Sequence, residues 1–270
     1  FEKLKVATPH SVISIPSITL DGGGDWATYK DYINCVRMTG VVEDTVVSTD
    51  DIAYFAPAMR EWKTELVAVN ATFEGVVSDF EGVLQSAKLG ERSSVAADFH
   101  IKGLPDWRNT HYGVKLEDVR LYSTDVIPVV TNVVNKPLPR NVMDIIKRVT
   151  WLNMNATFDG KLSAFKVNAN MRSSAGDVRA DVAISRKREG YAIKGDVVTD
   201  NLGVGHLLNQ KNIHTLDTRA TADVLVGKAG IVGSAQANIE SIGIGANRYS
   251  GIGVTATIDG SEYSVSVASE

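Results

Sequence analysis

The sequence predicts a mainly β protein, a mostly antiparallel twisted sheet with short connecting helices, and three observations carry that expectation. From about residue 64 onward apolar and polar residues alternate with period two, the pattern of strands with one buried and one solvated face. Turn signals separate the runs at hairpin spacing. A strand-like run also passes into a short apolar stretch at Thr49-Asp50, Thr124-Asp125 and Thr199-Asp200, 75 residues apart each time, and self-similarity at a fixed period marks a repeated supersecondary unit.

A second echo supports the repeat. Asn70-Ala-Thr-Phe-Glu-Gly75 returns as Asn155-Ala-Thr-Phe-Asp-Gly160, with a fainter relative at Ala220-Thr-Ala-Asp-Val224 before Gly227. The second unit takes about ten residues more to reach this strand, a surplus that falls around the Lys136-Pro-Leu-Pro-Arg140 break. The expected organisation is one continuous β structure. Residues 1–48 form strands with a short helical insert near 25–36, residues 49–123 the first repeat, 124–198 the second with a helical insert near 140–149, and 199–270 a third, Gly-rich one.

The strands follow from the alternation itself. Val95, Ala97, Phe99 and Ile101 point one way, against Ala96, Asp98, His100 and Lys102. Phe165, Val167, Ala169 and Met171 alternate with Lys166, Asn168 and Asn170, and Val178, Ala180, Val182 and Ile184 with Asp177, Arg179 and Asp181. Tyr191, Ile193 and Val197 continue the series, as do Val254, Ala256 and Ile258, then Tyr263, Val265 and Val267. Ser173-Ser174-Ala175-Gly176 and Arg188-Glu189-Gly190 are hairpin turns.

Helical spacing is confined to short pieces: Trp26, Tyr29, Ile33 and Val36 after a capping Asp25, and Val142, Ile145, Ile146 and Val149 after a capping Asn141. The three Thr-Asp marks also read as capped helix starts, with Pro57 and Pro128 limiting the first two to a turn or two.

Net charge of −4 and no basic cluster longer than Arg186-Lys187-Arg188 leave no electrostatic footprint for nucleic acid. A single Cys35 forms no internal disulfide, which fits the cytosol or a bacterial envelope protein without disulfides. No apolar run reaches the length of a membrane span, and the start Phe1-Glu2-Lys3 reads as a piece of something longer.

No motif points to catalysis, a metal or a cofactor. His10, His100, His111, His206 and His214 lack metal-ligand spacing. Asp21-Gly-Gly-Gly-Asp25 lacks the lysine and the helix of a phosphate loop and reads as a turn. There is no G-x-S-x-G elbow and no evident carboxylate pair. The remaining signal is the apolar faces, with Phe73, Phe99, Ile101, Phe158, Phe165, Val167, Met171, Val182, Ile184, Ile193 and Val197 as candidate lining residues. Two readings stand side by side: the sealed core of a two-layer β protein, or the wall of an open groove for acyl chains, whose transfer from water gains about 0.8 kcal/mol per buried methylene.

Asp50-Asp51-Ile-Ala-Tyr-Phe-Ala-Pro-Ala58, then Lys102-Gly-Leu-Pro-Asp106, Lys136-Pro-Leu-Pro139, Tyr191-Ala-Ile-Lys-Gly195 and Leu202-Gly-Val-Gly-His-Leu-Leu208, in that order, resemble the translocation and assembly module TamB family of the Bacteroidota. That family is related to the AsmA group and to bridge-like lipid-transfer proteins. The resemblance implies an interior, periplasmic segment of an inner-membrane-anchored protein, and a long sheet curled lengthwise into an apolar groove of β-taco type. It further implies phospholipid acyl chains as cargo for outer-membrane biogenesis, an outer-membrane TamA-type barrel protein as partner through the rest of the chain, and no catalytic residues. The inserts near 25–36 and 140–149 depart from a plain trough. About twelve strands at roughly 4.8 Å spacing would extend on the order of 60 Å along such a groove.

A second function class is an assembly module that templates outer-membrane β-barrel strands by augmentation. A third, a carbohydrate-binding or hydrolytic solenoid, predicts an aromatic platform, whereas Trp26, Trp62, Trp107 and Trp151 sit near connections.

Overall fold

A computed structural model describes residues 1–53, 63–133, 140–227, 230–260 and 262–269. It is mainly β and antiparallel, with a few short helices. The chain divides into two compact units, residues 1–139 and 140–270.

Unit 1 is a seven-stranded meander: β1 (Glu2–Ala7), β2 (Val12–Asp21), β3 (Arg37–Ser48), β4 (Glu65–Val76), β5 (Asp79–Leu89), β6 (Ser93–Lys102) and β7 (His111–Tyr122), each paired with its sequence neighbour. A 3-10 turn, Trp26–Asp31, capped by Asp25 accepting from the Ala27 N–H, leads into α1 (Tyr32–Cys35). This is the insert expected near 25–36. Its place is structural, since Ile33 O accepts from the Ser78 N–H in the β4–β5 turn. Two more helices follow strands, α2 (Thr49–Ile52), capped by Ser48, and α3 (Ser123–Val133).

Unit 2 starts with α4 (Arg140–Arg148) and continues through β8 (Trp151–Lys161), β9 (Ala164–Ser173), β10 (Gly176–Arg186), β11 (Gly190–Leu202), α5 (Val204–Leu208), β12 (Ile213–Gly227), β13 (Gly230–Ile244), β14 (Asn247–Tyr249), β15 (Ile252–Gly260) and β16 (Glu262–Ser269). Strands β8 to β13, then β15 and β16, lie in chain order, and β14 pairs with β13. Arg148 Nη1 donates to Leu207 O at 2.6 Å, tying α4 to α5.

Several expectations are corrected by these elements. Sixteen strands form among the described residues, more than the dozen anticipated. The sheet is neither closed nor strongly curled, so the expected curl into a trough is not found: strand twist by itself does not close a sheet. Pro128 lies inside the eleven-residue α3, so the limit it was expected to set does not hold. Thr199-Asp200 lies within β11, and the helix begins four residues later at Val204. Asn141 falls in the first turn of α4 and does not precede it. Pro57, Trp62 and 136–139 lie outside the described residues.

The repeat has a physical content. The two echo peptides occupy β4 and β8 at the same distance from a two-residue hairpin turn: Val76 pairs with Asp79, and Lys161 with Ala164. Gly75 and Gly160 have φ of +128° and +133° and stand opposite Phe80 and Phe165, a backbone region costly for any residue with a Cβ. Two of the three Thr marks share a second device. Thr49 Oγ1 donates to Thr64 O and accepts from Thr64 N–H, while Thr199 Oγ1 donates to Leu216 O and accepts from Thr218 N–H. Each buried hydroxyl thus fastens the incoming end of the next strand.

Candidate functional site: the apolar sheet face

Register decides which side chains share a face, because direct cross-strand partners project to the same side. In unit 2 one such row runs Phe158, Val167, Val182, Gly195, Ala222, Ala235, Ala256, Val265 across eight strands. The row on one side of it is Gly160, Phe165, Ile184, Ile193, Val224, Gly233, Ile258, Tyr263; the row on the other is Ala156, Ala169, Ala180, Val197, Ala220, Ala237, Val254, Val267. Apart from the Tyr263 hydroxyl, no side chain in these three rows carries a polar atom. A fourth row begins Met154, Met171, Val178 and continues through Thr199 and Thr218 to Ile239 and Ile252. Its two threonine hydroxyls are satisfied within the sheet.

The opposite face of unit 2 is polar. Asp159, Lys166, Ala183, Lys194 and Asp223 form one of its rows, and Lys194 Nζ lies 3.0 Å from Asp223 Oδ2. Eight of the candidate residues, Phe158, Phe165, Val167, Met171, Val182, Ile184, Ile193 and Val197, therefore fall on one face. The rings of Phe158 and Phe165 stack at 4.7 Å.

In unit 1 the remaining three candidates also share a face. Phe73 and Phe99 lie in the row Ile18, Gly40, Phe73, Gly82, Phe99, Val114, and Ile101 in the next, Leu20, Met38, Gly75, Phe80, Ile101, Tyr112. Phe80 meets Phe99 edge to face at 6.1 Å. Phe80 was absent from the sequence-derived set, although its equivalence to Phe165, one turn after the echo peptide, is the signal that finds it. The Ala and Gly positions of unit 2 were also passed over, since small residues weigh little in an alternation count. The polar side of unit 1 carries ion pairs: Asp79 with His100 Nε2 at 2.6 Å and Lys102 Nζ at 2.7 Å, and Arg37 with Glu74 at 3.3 Å. Hydrogen bonds from Lys102 and then His100 hold the Asp79 carboxyl below the usual carboxylate range.

All eleven candidates are half-buried, none sealed and none fully exposed. The buried hydrophobic residues among those described are Val36, Ala53, Val69, Ala87, Ala97, Val119, Ala169 and Ala175; no Phe, Leu, Ile or Met is among them. The accessible surface is 16972 Å², roughly half as much again as the ~11,000 Å² of a compact monomer of this mass. A sealed two-layer core would reverse both observations.

Among the described residues no cluster of three or more His, Cys, Asp or Glu converges on a metal-sized site, and no helix is long and apolar enough to cross a membrane. Fold and face together define a single-layer antiparallel β protein with one apolar and one polar side in each unit. Comparisons with protein-family models, curated proteins and solved structures gave no match.

Proposed function

We propose that this chain is a β-rich periplasmic segment of a TamB-like envelope protein that shields phospholipid acyl chains against its apolar face on their way between inner and outer membrane, without performing chemistry. The observation that carries the reading is the set of three adjacent rows in unit 2, free of charge across eight strands and, among the described residues, without a second sheet of the same unit to cover them. Each methylene laid on such a surface gains at most about 0.8 kcal/mol, so a chain of ordinary length is retained by area alone. The family resemblance adds the inner-membrane anchor and the TamA-type partner.

The test is native mass spectrometry with lipid extraction on protein purified from a bacterial envelope, beside the variant Phe165→Asp/Ile184→Asp. These two residues are direct cross-strand partners. Co-purified phospholipid that is lost in a variant still folded by circular dichroism supports the lipid path. A lipid-free wild type refutes it and favours the assembly module, in which crosslinks from an edge strand would capture unfolded barrel proteins.

A further inference from the structure

We infer that, in the absence of lipid, two copies of this chain pack face to face through the apolar rows of unit 2. Soluble monomers rarely leave an apolar patch of more than a few hundred Å² in water. Four rows about 6.8 Å apart and eight strands about 4.8 Å apart give a face of roughly 20 by 34 Å, or about 700 Å². Two such faces bury about 1,400 Å², the size of a stable interface. The strand edges, by contrast, offer only backbone groups that water already satisfies.

The relief of the face specifies how the copies meet. Phe165, Ile184, Ile193 and Val224 form a ridge; two rows away, Ala169, Ala180 and Ala220 form a shallow lane interrupted by Val197; between them runs the row of Val182, Gly195 and Ala222. A two-fold axis lying over the middle row and running across the strands sets each ridge on the partner's lane and the middle row against itself. On β9, β10 and β12 a large side chain then meets an alanine, Phe165 on Ala169, Ile184 on Ala180 and Val224 on Ala220, while on β11 Ile193 meets Val197; the contact is isologous, at the ~10 Å separation of packed sheets. The inference concerns the lipid-free protein and stands whether or not acyl chains also bind.

Sedimentation velocity on the delipidated 270-residue chain, from about 1 to 100 μM, tests it. The wild type sediments at twice the 29.1 kDa chain mass. Ala220→Arg, in the lane, shifts it to the monomer, with at least a tenfold loss of association, and Thr221→Arg, its neighbour on the polar face, does not. A second measurement covers a misfolded Ala220→Arg: spin labels at Val182→Cys in a Cys35→Ser background couple between copies, whereas labels at Asp181→Cys lie at least about 10 Å further apart. A folded wild type that stays monomeric to 100 μM overturns the inference. So does a dimer indifferent to a folded Ala220→Arg, or equal coupling at 181 and 182.

Discussion

The ring of Phe73, on β4, covers Gly40 on the neighbouring strand β3. The two are direct cross-strand partners, and a methyl group built on Gly40 would come to 2.6 Å of Phe73 Cε1, its three nearest atoms all belonging to that ring. A related arrangement recurs one strand pair further on, where a Cβ at Gly82 would meet Phe99 Cζ at 2.5 Å as well as the backbone carbonyl of Thr72. Aromatic rings laid over strand glycines supply the packing that the glycine cannot. They keep the apolar face of unit 1 continuous without raising it.

This relation gives a specific coupling. Gly40→Ala is expected to destabilise by about 1–3 kcal/mol through overpacking, measured as a lowered urea midpoint. In a Phe73→Leu background the same Ala costs at least about 1 kcal/mol less, because the clash partner has gone. Equal costs in the two backgrounds would show that the ring is not what excludes the methyl.

Two carboxylates hold strand starts to helix starts. Ser93 Oγ, with the backbone N–H groups of Ser93 and Arg92, donates to Asp125, and Ser11 Oγ with Thr8 Oγ1 donates to Asp51; each serine also accepts a backbone N–H, from Tyr122 and Ser48. Burial pushes Asp125 up, but the bonds from Ser93 and Arg92 outweigh it and its pKa falls. The Ser11 bond, then the Thr8 bond, lowers Asp51. Lowered folded values contribute stability that is fully present above the unfolded value of about 3.9 and is lost as pH falls through the folded one. Wild type should thus lose stability below about pH 4, and Asp125→Ala should flatten that acid limb. The same variant should cost about 1–3 kcal/mol at pH 7, through the buried Ser93 hydroxyl it leaves short of an acceptor. Thermal melts across the pH range read both effects.

Ile184 and Ala183 are adjacent in sequence and opposite in face. Ala183 stands between Lys166 and Lys194 in its row, so Ala183→Glu is expected to be neutral or to stabilise by up to about 0.5 kcal/mol. Ile184→Glu places a charge among Phe165 and Ile193 and should lower both stability and binding of an apolar dye such as ANS. A reversal of the two outcomes would mean that the register is shifted by one residue.

Thr199 is 8% exposed, and its hydroxyl is bonded on both sides. Thr199→Val keeps the shape and leaves the Thr218 N–H and Leu216 O to one another or to nothing, an expected loss of about 1–3 kcal/mol. Hydrogen exchange at the Thr218 amide should accelerate beyond what the global change accounts for.

Alternation written into 165–171, 178–184 and 254–258 was enough to place each side chain on its face, since a strand's period of two leaves no other choice once one position is assigned. The same holds for the hairpins at 173–176 and 188–190, where short polar turns force neighbouring strands to pair. Candidate residues far apart in the chain, such as Phe158 and Ile193, could thus be grouped from sequence, and the structure sets them on one face.

Other features were decided only by tertiary structure. The one-residue shifts in the β3–β4, β4–β5 and β11–β12 pairings arise from which backbone groups find partners across the gap, which no local pattern encodes. The Thr199-Asp200 mark stays in strand because the Thr199 hydroxyl finds β12 waiting for it, whereas the identical dipeptide at 49–50 turns into a helix behind the Ser48 cap. Whether the apolar residues are sealed or open was equally illegible: composition specifies that they avoid water, and only the arrangement of strands in a single layer fixes that no second sheet of the same unit covers them.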